Sequence, residues 1–90
     1  MNTSYGLAVY RSRQHAVQFQ RTQLARGIQA EIITTPQHLA VGCSLSVKVP
    51  IHQLAQTVEI LRLRPENEAF VGAYRSDYEG GKWVTRSYRL

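Results

Sequence analysis

The strongest constraint on the fold is a change of hydrophobic period at Pro50. Before it, Leu45, Val47 and Val49 alternate with polar residues, which is the period of a half-buried β-strand. After it, apolar residues recur at helical spacing, and a proline is favoured in the first turn of a helix. The apolar residues of this helical stripe are Ile51, Leu54, Ala55, Val58 and Leu61. A strand followed directly by an amphipathic helix indicates a sheet that is covered by helices.

The rest of the chain continues this alternation. The sequence predicts a helix at residues 13–26, between strand-like segments at 5–10 and 28–35. Two further strand-like segments lie at residues 69–75 and 83–88. Ser12 is a suitable N-cap for that helix and Gly27 a suitable end. Gly80 and Gly81 predict a tight hairpin turn. The order predicts an α+β, ferredoxin-like β-α-β-β-α-β two-layer sandwich with a C-terminal β-hairpin extension. We expect one domain over residues 1–90, with its core at 5–76 and a C-terminal arm at 77–90.

Composition restricts the classes of function. The chain has 11 Lys and Arg against 6 Asp and Glu, a net charge of +5, and a single cysteine, so an internal disulfide is excluded. No apolar run approaches the ~18 residues of a membrane span, and we expect a soluble, cytoplasmic protein. The cysteine and the three histidines match no common zinc spacing, so neither metal nor cofactor is predicted. Without a Gly-rich phosphate loop or a catalytic triad, a carrier or binding protein is favoured over a classical enzyme.

Two short motifs stand out. The first predicted strand ends at Tyr10, and Ser12 and His15-Ala16 follow at the start of the helix. Pro36 is followed seven residues later by Cys43, which Gly42 precedes and an alternating strand follows.

Over about residues 6–74, these motifs resemble a bacterial family of selenium/sulfur carrier proteins. Members usually have glycine after the cysteine, where this chain has Ser44. The resemblance implies that Cys43 holds a persulfide or selenopersulfide, with His38, Gly42 and Ser44 as supporting residues. It also implies that sulfur or selenium donor and acceptor proteins are the partners.

The residues themselves leave two interpretations of Cys43 open. A carrier needs an accessible thiolate, since the thiolate accepts and later presents the transferred atom. Free cysteine is also among the most buried residue types, and Cys43 has the same strand parity as Leu45. His38, in the same loop, is either a base beside the thiol or an exposed loop residue.

Arginines supply the candidate anion-binding or partner-binding residues. Because strands 1 and 3 are expected to run parallel, the proposed topology places Arg26, Arg62, Arg64 and Arg75 at the end of the sheet where strand 3 begins, beside Cys43. His15 then lies at the far end.

An alternative function is a non-catalytic interaction module. Arginines with Tyr78, Trp83 and Tyr88 in the C-terminal arm are compatible with binding of nucleic acid or of a protein through the basic surface. The third strand has no aromatic residue, which makes nucleic acid the less favoured ligand. A strand pair at a sheet edge also favours a homo-oligomer through the arm.

Overall fold

A computed structural model describes residues 4–36, 39, 44–63 and 69–88, with the backbone alone for 60–63. Seven helices and strands make up this part of the chain: β1 (Ser4–Tyr10), α1 (Arg13–Ala25), β2 (Glu31–Thr34), β3 (Leu45–Pro50), α2 (Leu54–Leu63), β4 (Phe70–Glu79) and β5 (Lys82–Tyr88). A 3-10 turn at Ile51–Gln53 leads into α2. None of the described helices is long and apolar enough to cross a membrane.

The five strands form one sheet in the order β2-β3-β1-β4-β5, and every neighbouring pair is antiparallel. The predicted α+β class is therefore confirmed, and β5 takes the sheet beyond a simple four-stranded arrangement. The expectation that β1 and β3 run parallel is wrong. Tyr10 pairs with Leu45 and Tyr5 with Pro50, so β3 begins where β1 ends.

The core lies between the helices and one face of the sheet. Side chains from both helices and from β1, β3 and β4 form one buried cluster, which includes Ala8, Tyr10, Ala16, Phe19, Val47, Val49, Leu54, Val58 and Ala73. At Gly6, a Cβ would lie only 2.6 Å from Leu54 Cδ1, so α2 packs closely on the β1 backbone there. Thr57 is also buried in α2, and its hydroxyl donates to the Gln53 carbonyl at 2.9 Å.

Strand β2 is shorter than predicted. Ile28 and Ala30 are buried in the core but precede the strand, which begins at Glu31. The antiparallel register would bring Gln29 opposite Pro50, which has no N–H to donate. The Gln29 N–H donates instead to Gln53 Oε1 at 3.2 Å. The neighbouring strand's proline thus ends the ladder.

The C-terminal segment is an extension of the sheet. Strand β4 continues to Glu79 and returns as β5 through Gly80 and Gly81, whose φ angles are 57° and 84°. Both values are positive, as a two-residue type I′ hairpin turn requires.

Candidate functional site

The start of β3 lies at one end of the sheet, which we call the Ser44 end. It is formed by Tyr10, Thr34, Leu45 and Phe70, which pair across four adjacent strands. Ser44 precedes this set and is only 6% exposed. Its covalent neighbour Cys43 lies outside the described residues, as do His38 and Gly42. The structure therefore describes the surroundings of Ser44 and leaves the exposure of the thiol untested.

Helix α1 also begins at the Ser44 end. Ser12 caps it: the Ser12 side chain accepts a hydrogen bond from the His15 N–H at 3.4 Å, and the Ala16 N–H donates to the Ser12 carbonyl at 3.0 Å. The first turn holds no acidic residue. The partial positive charge of the helix N-terminus is therefore directed to this end without a neutralising carboxylate of its own. His15 belongs to the Ser44 end, so its expected position at the far end is wrong.

The predicted group of four arginines does not form beside Ser44. Arg26 follows the last residue of α1, and Arg75 pairs with Gly6 well along β1, so both lie toward the opposite end. The physical reason is strand direction, since antiparallel pairing of β1 and β3 reverses which ends coincide. The Arg62 backbone lies in the last turns of α2, and Arg64 lies outside the described residues.

Arg75 is also engaged elsewhere. Its Nε lies 3.1 Å from both carboxylate oxygens of Asp77, and Arg86 contacts Asp77 at 3.8 Å and Glu79 at 2.9 Å. The Ser4 hydroxyl, which donates to Asp77, and then the two guanidinium groups hold the pKa of the Asp77 carboxyl below its usual range. Hydrogen bonding by Arg86 lowers the pKa of Glu79 in the same way. These contacts make Arg75 part of a network on the β4–β5 hairpin.

A buried hydroxyl pair fixes the strand ends near Ser44. Thr35 and Ser46 are 5% and 0% exposed, and their side-chain oxygens are 2.9 Å apart. Because each hydroxyl has a hydrogen-bond partner, the pair holds the end of β2 against β3 without the free-energy cost of burying an unpaired hydroxyl.

Tyr10 is a buried residue of the Ser44 end that sequence reasoning noted only as part of a motif. Its ring packs against Phe19 and Phe70, with ring centres 5.4 Å and 5.5 Å away. Among the described residues, the hydroxyl has no hydrogen-bond partner. Burial raises the pKa of Tyr10 far above its usual value, so the phenol stays neutral and is unsuited to acid-base chemistry near pH 7.

A second candidate surface combines Tyr78 and Trp83, which the sequence indicated as candidate binding residues, with Tyr5 and Lys48, which it did not. On the sheet face away from the helices, the Trp83 ring lies 5.0 Å from Tyr5 and 5.3 Å from Tyr78. The Lys48 ammonium lies 4.8 Å from the centre of the Tyr5 ring. Trp83 is 46% and Tyr78 49% exposed. A cavity of about 350 Å³ adjoins this aromatic face and is lined in part by Tyr5, Lys48 and Trp83. Period-2 parity could have placed Tyr5 and Lys48 on one face, but only the strand order shows that Trp83 reaches them.

The family model described as "Putative Se/S carrier protein-like" matches residues 5–67, which is more than half of the chain. The chain therefore belongs to this family, and the predicted resemblance is confirmed. No curated protein and no solved structure gives a match. All of β4 and β5, including Tyr78 and Trp83, lie beyond the matched segment.

Proposed function

We propose that this protein carries sulfur or selenium as a persulfide or selenopersulfide on Cys43, its only cysteine. The observation that carries the proposal is the family match, because the matched residues 5–67 contain Cys43. Such a carrier exchanges its cargo with partner proteins, one that donates and one that accepts. His38, Gly42 and Ser44 are proposed as supporting residues on the same basis.

The transfer needs no external oxidant or reductant. The Cys43 thiolate attacks the outer sulfur of a persulfide on the donor, and a new S–S bond forms on Cys43. The donor's own S–S bond breaks, and its inner sulfur leaves as a thiolate. The proton on the outer sulfur stays with that atom. An acceptor thiolate or other nucleophile then removes the sulfur from Cys43 by the reverse type of step.

The Ser44 end offers electrostatic support for this chemistry. The N-terminus of α1 and the exposed residues Arg13 and His15 lie at the end of the sheet where the chain enters β3. Positive potential stabilises an anion, so a thiolate or persulfide held at this end would be favoured over its protonated form. Cys43 directly precedes Ser44 in the chain. Arg62, in the last turn of α2, and Arg64, which follows α2 in the sequence, are proposed as further cations of this site.

The experiment is persulfide loading followed by mass analysis. The reduced full-length protein is incubated with glutathione persulfide and examined intact under non-reducing conditions. We expect a mass increase of one sulfur atom that a reducing agent removes, and no increase in Cys43→Ser. If native Cys43 accepts neither sulfur nor an alkylating reagent at neutral pH, while the denatured chain is alkylated, the carrier function is wrong.

The aromatic face favours a second candidate, binding of single-stranded nucleic acid. Exposed aromatic rings on an open sheet face can stack on bases, and Lys48 adds a cation beside Tyr5. Titration with a fluorescent oligouridylate at several salt concentrations tests this. Binding that weakens steeply with salt, is lost in Trp83→Ala and is unchanged in Cys43→Ser would make this the better account.

Three further assignments belong to the proposal. The order β2-β3-β1-β4, with helices after β1 and β3, supports a ferredoxin-like core to which β5 is added. A thiol that alternates with a persulfide suits the reducing cytoplasm. Strand β5 lies at the sheet edge, and its outer side offers backbone groups for pairing with a second copy.

A further inference from the structure

The charge of α1 is one-sided. The first 30 residues of the chain contain no Asp or Glu, while α1 and its end contribute Arg13, Arg21 and Arg26. All three are exposed. Within the described part of the chain, the arginine ion pairs are those of Arg75 and Arg86 on the β4–β5 hairpin. The three α1 arginines are therefore exposed and have no carboxylate partner among the described residues.

The position of Arg13 opposes the stability of its own helix. Arg13 is the first residue of α1, where the helix carries partial positive charge, and its first turn holds no acid. A cation is unfavourable there and an anion favourable. A carboxylate of a binding partner would interact favourably with both the Arg13 guanidinium and the helix N-terminus. This end of α1 therefore favours a negatively charged partner.

The arrangement favours an acidic protein over nucleic acid. The aromatic rings that could stack on bases lie on the sheet face opposite the helices, away from Arg13 at the start of α1. Guanidinium groups form bidentate pairs with carboxylates as readily as with phosphates. Along α1, Arg13 and Arg21 are about 12 Å apart, a span that one acidic helix or loop covers.

The location also suits a role in exchange. Arg13 lies at the Ser44 end, where the chain enters β3, and Arg21 continues along the same helix. A protein seated on α1 is thereby held beside the end of the sheet that leads to Cys43.

We propose that the α1 surface formed by Arg13 and Arg21 docks an acidic surface of the protein that exchanges sulfur or selenium with Cys43. This inference rests on the proposed carrier function. Docking by charge raises the rate of encounter and orients the partner, and salt weakens it.

The test uses the full chain with a fluorescent poly-glutamate peptide as the acidic probe, in low-salt buffer. Two double variants each remove two positive charges: Arg13→Gln with Arg21→Gln on α1, and Lys48→Gln with Lys82→Gln on the sheet. We expect the α1 pair to weaken binding roughly fivefold or more and the control pair by less than about twofold. Circular dichroism confirms that both variants are folded.

Amide shifts on addition of poly-glutamate give an independent location. We expect them to concentrate on α1. Equal losses in the two double variants, or shifts spread over the sheet, would overturn the docking surface. Tighter binding of an oligouridylate of equal charge, lost in the α1 variant, would overturn the choice of a protein partner.

Failure of the docking surface is distinguishable from failure of the carrier. Poly-glutamate binding is expected to be unchanged in Cys43→Ser, since the probe carries no sulfur to exchange. Persulfide loading of Cys43 from glutathione persulfide is expected to be unchanged in Arg21→Gln, which removes a docking charge but leaves Arg13 in place, since the small donor needs no docking. Each proposal can thus fail while the other stands.

Discussion

Tyr10, the last residue of β1, pairs with Leu45, the first residue of β3. This pairing brings the start of α1 and the chain that enters β3 to the same end of the sheet. It moves Arg26 and Arg75 away from that end and leaves the N-terminus of α1, with Arg13, as a source of positive potential there. The site proposed for Cys43 therefore depends on strand direction.

Gln23→Met is expected to stabilise the protein. Gln23 is 0% exposed in α1, and in the part of the chain that the structure describes neither its Oε1 nor its Nε2 has a hydrogen-bond partner. Methionine has a similar volume and carries no amide to desolvate, so the free energy of unfolding should rise by about 1–3 kcal/mol. Urea denaturation measures the change. The exposed Gln18→Met is the matched control, with an expected change within about 0.5 kcal/mol. A loss of stability in Gln23→Met would show that the amide is hydrogen-bonded in solution.

Tyr10→Phe should change the response of stability to alkaline pH. The pKa of Tyr10 is raised by burial, so the folded state keeps a proton that the unfolded chain releases above about pH 10. The stabilising contribution of the neutral phenol is complete below that pH and is lost as pH rises toward the folded pKa. Unfolding of the wild type should therefore become easier above about pH 10, and the phenylalanine variant should lose less stability there. Identical profiles for the two proteins would contradict this account.

Local features were predictable because their causes are local. Ser12 caps α1 as expected, and Gly27 follows the helix with a φ of 82°. The alternation at 45–49 gave the third strand, and the two glycines gave the hairpin turn. Such features depend on residues within one turn or one strand.

The remaining features depend on partners that are distant in the sequence. Strand direction is absent from hydrophobic periodicity, so the ends that β1 and β3 share could not be read from it. The start of β2 is set by Pro50 on the neighbouring strand. The contact between Tyr5 and Trp83 joins the two ends of the chain. The loop with Cys43 was assigned by motif, and its structure was not predicted by period or composition.

Gly6→Ala is expected to destabilise the fold through contact with α2. A Cβ at this position would lie 2.6 Å from Leu54 Cδ1 and 3.1 Å from Leu54 Cβ. Overpacking of this kind costs about 1–3 kcal/mol. In a double-mutant cycle with Leu54→Ala, the double variant should be more stable than the sum of the single effects predicts, because the smaller side chain relieves the contact. Additive effects in thermal or urea denaturation would show that the loss of stability in Gly6→Ala does not come from contact with Leu54.

Arg13→Glu should change stability and docking in opposite directions. A glutamate at the first position of α1 complements the helix dipole, where the arginine opposes it, so the free energy of unfolding should rise by about 0.3–1 kcal/mol. The same change places a negative charge on the α1 surface, and poly-glutamate binding should fall well below that of Arg13→Gln. Urea denaturation and fluorescence anisotropy on one preparation measure the two effects.

Gln14→Glu, one residue further along α1, is the control: it adds the same favourable charge to the first turn but keeps Arg13. If both variants gain stability and bind the peptide equally, the effect comes from net charge alone and Arg13 has no special place in docking. If Arg13→Glu loses both stability and binding, the arginine supports the helix itself, and the docking role assigned to it is wrong.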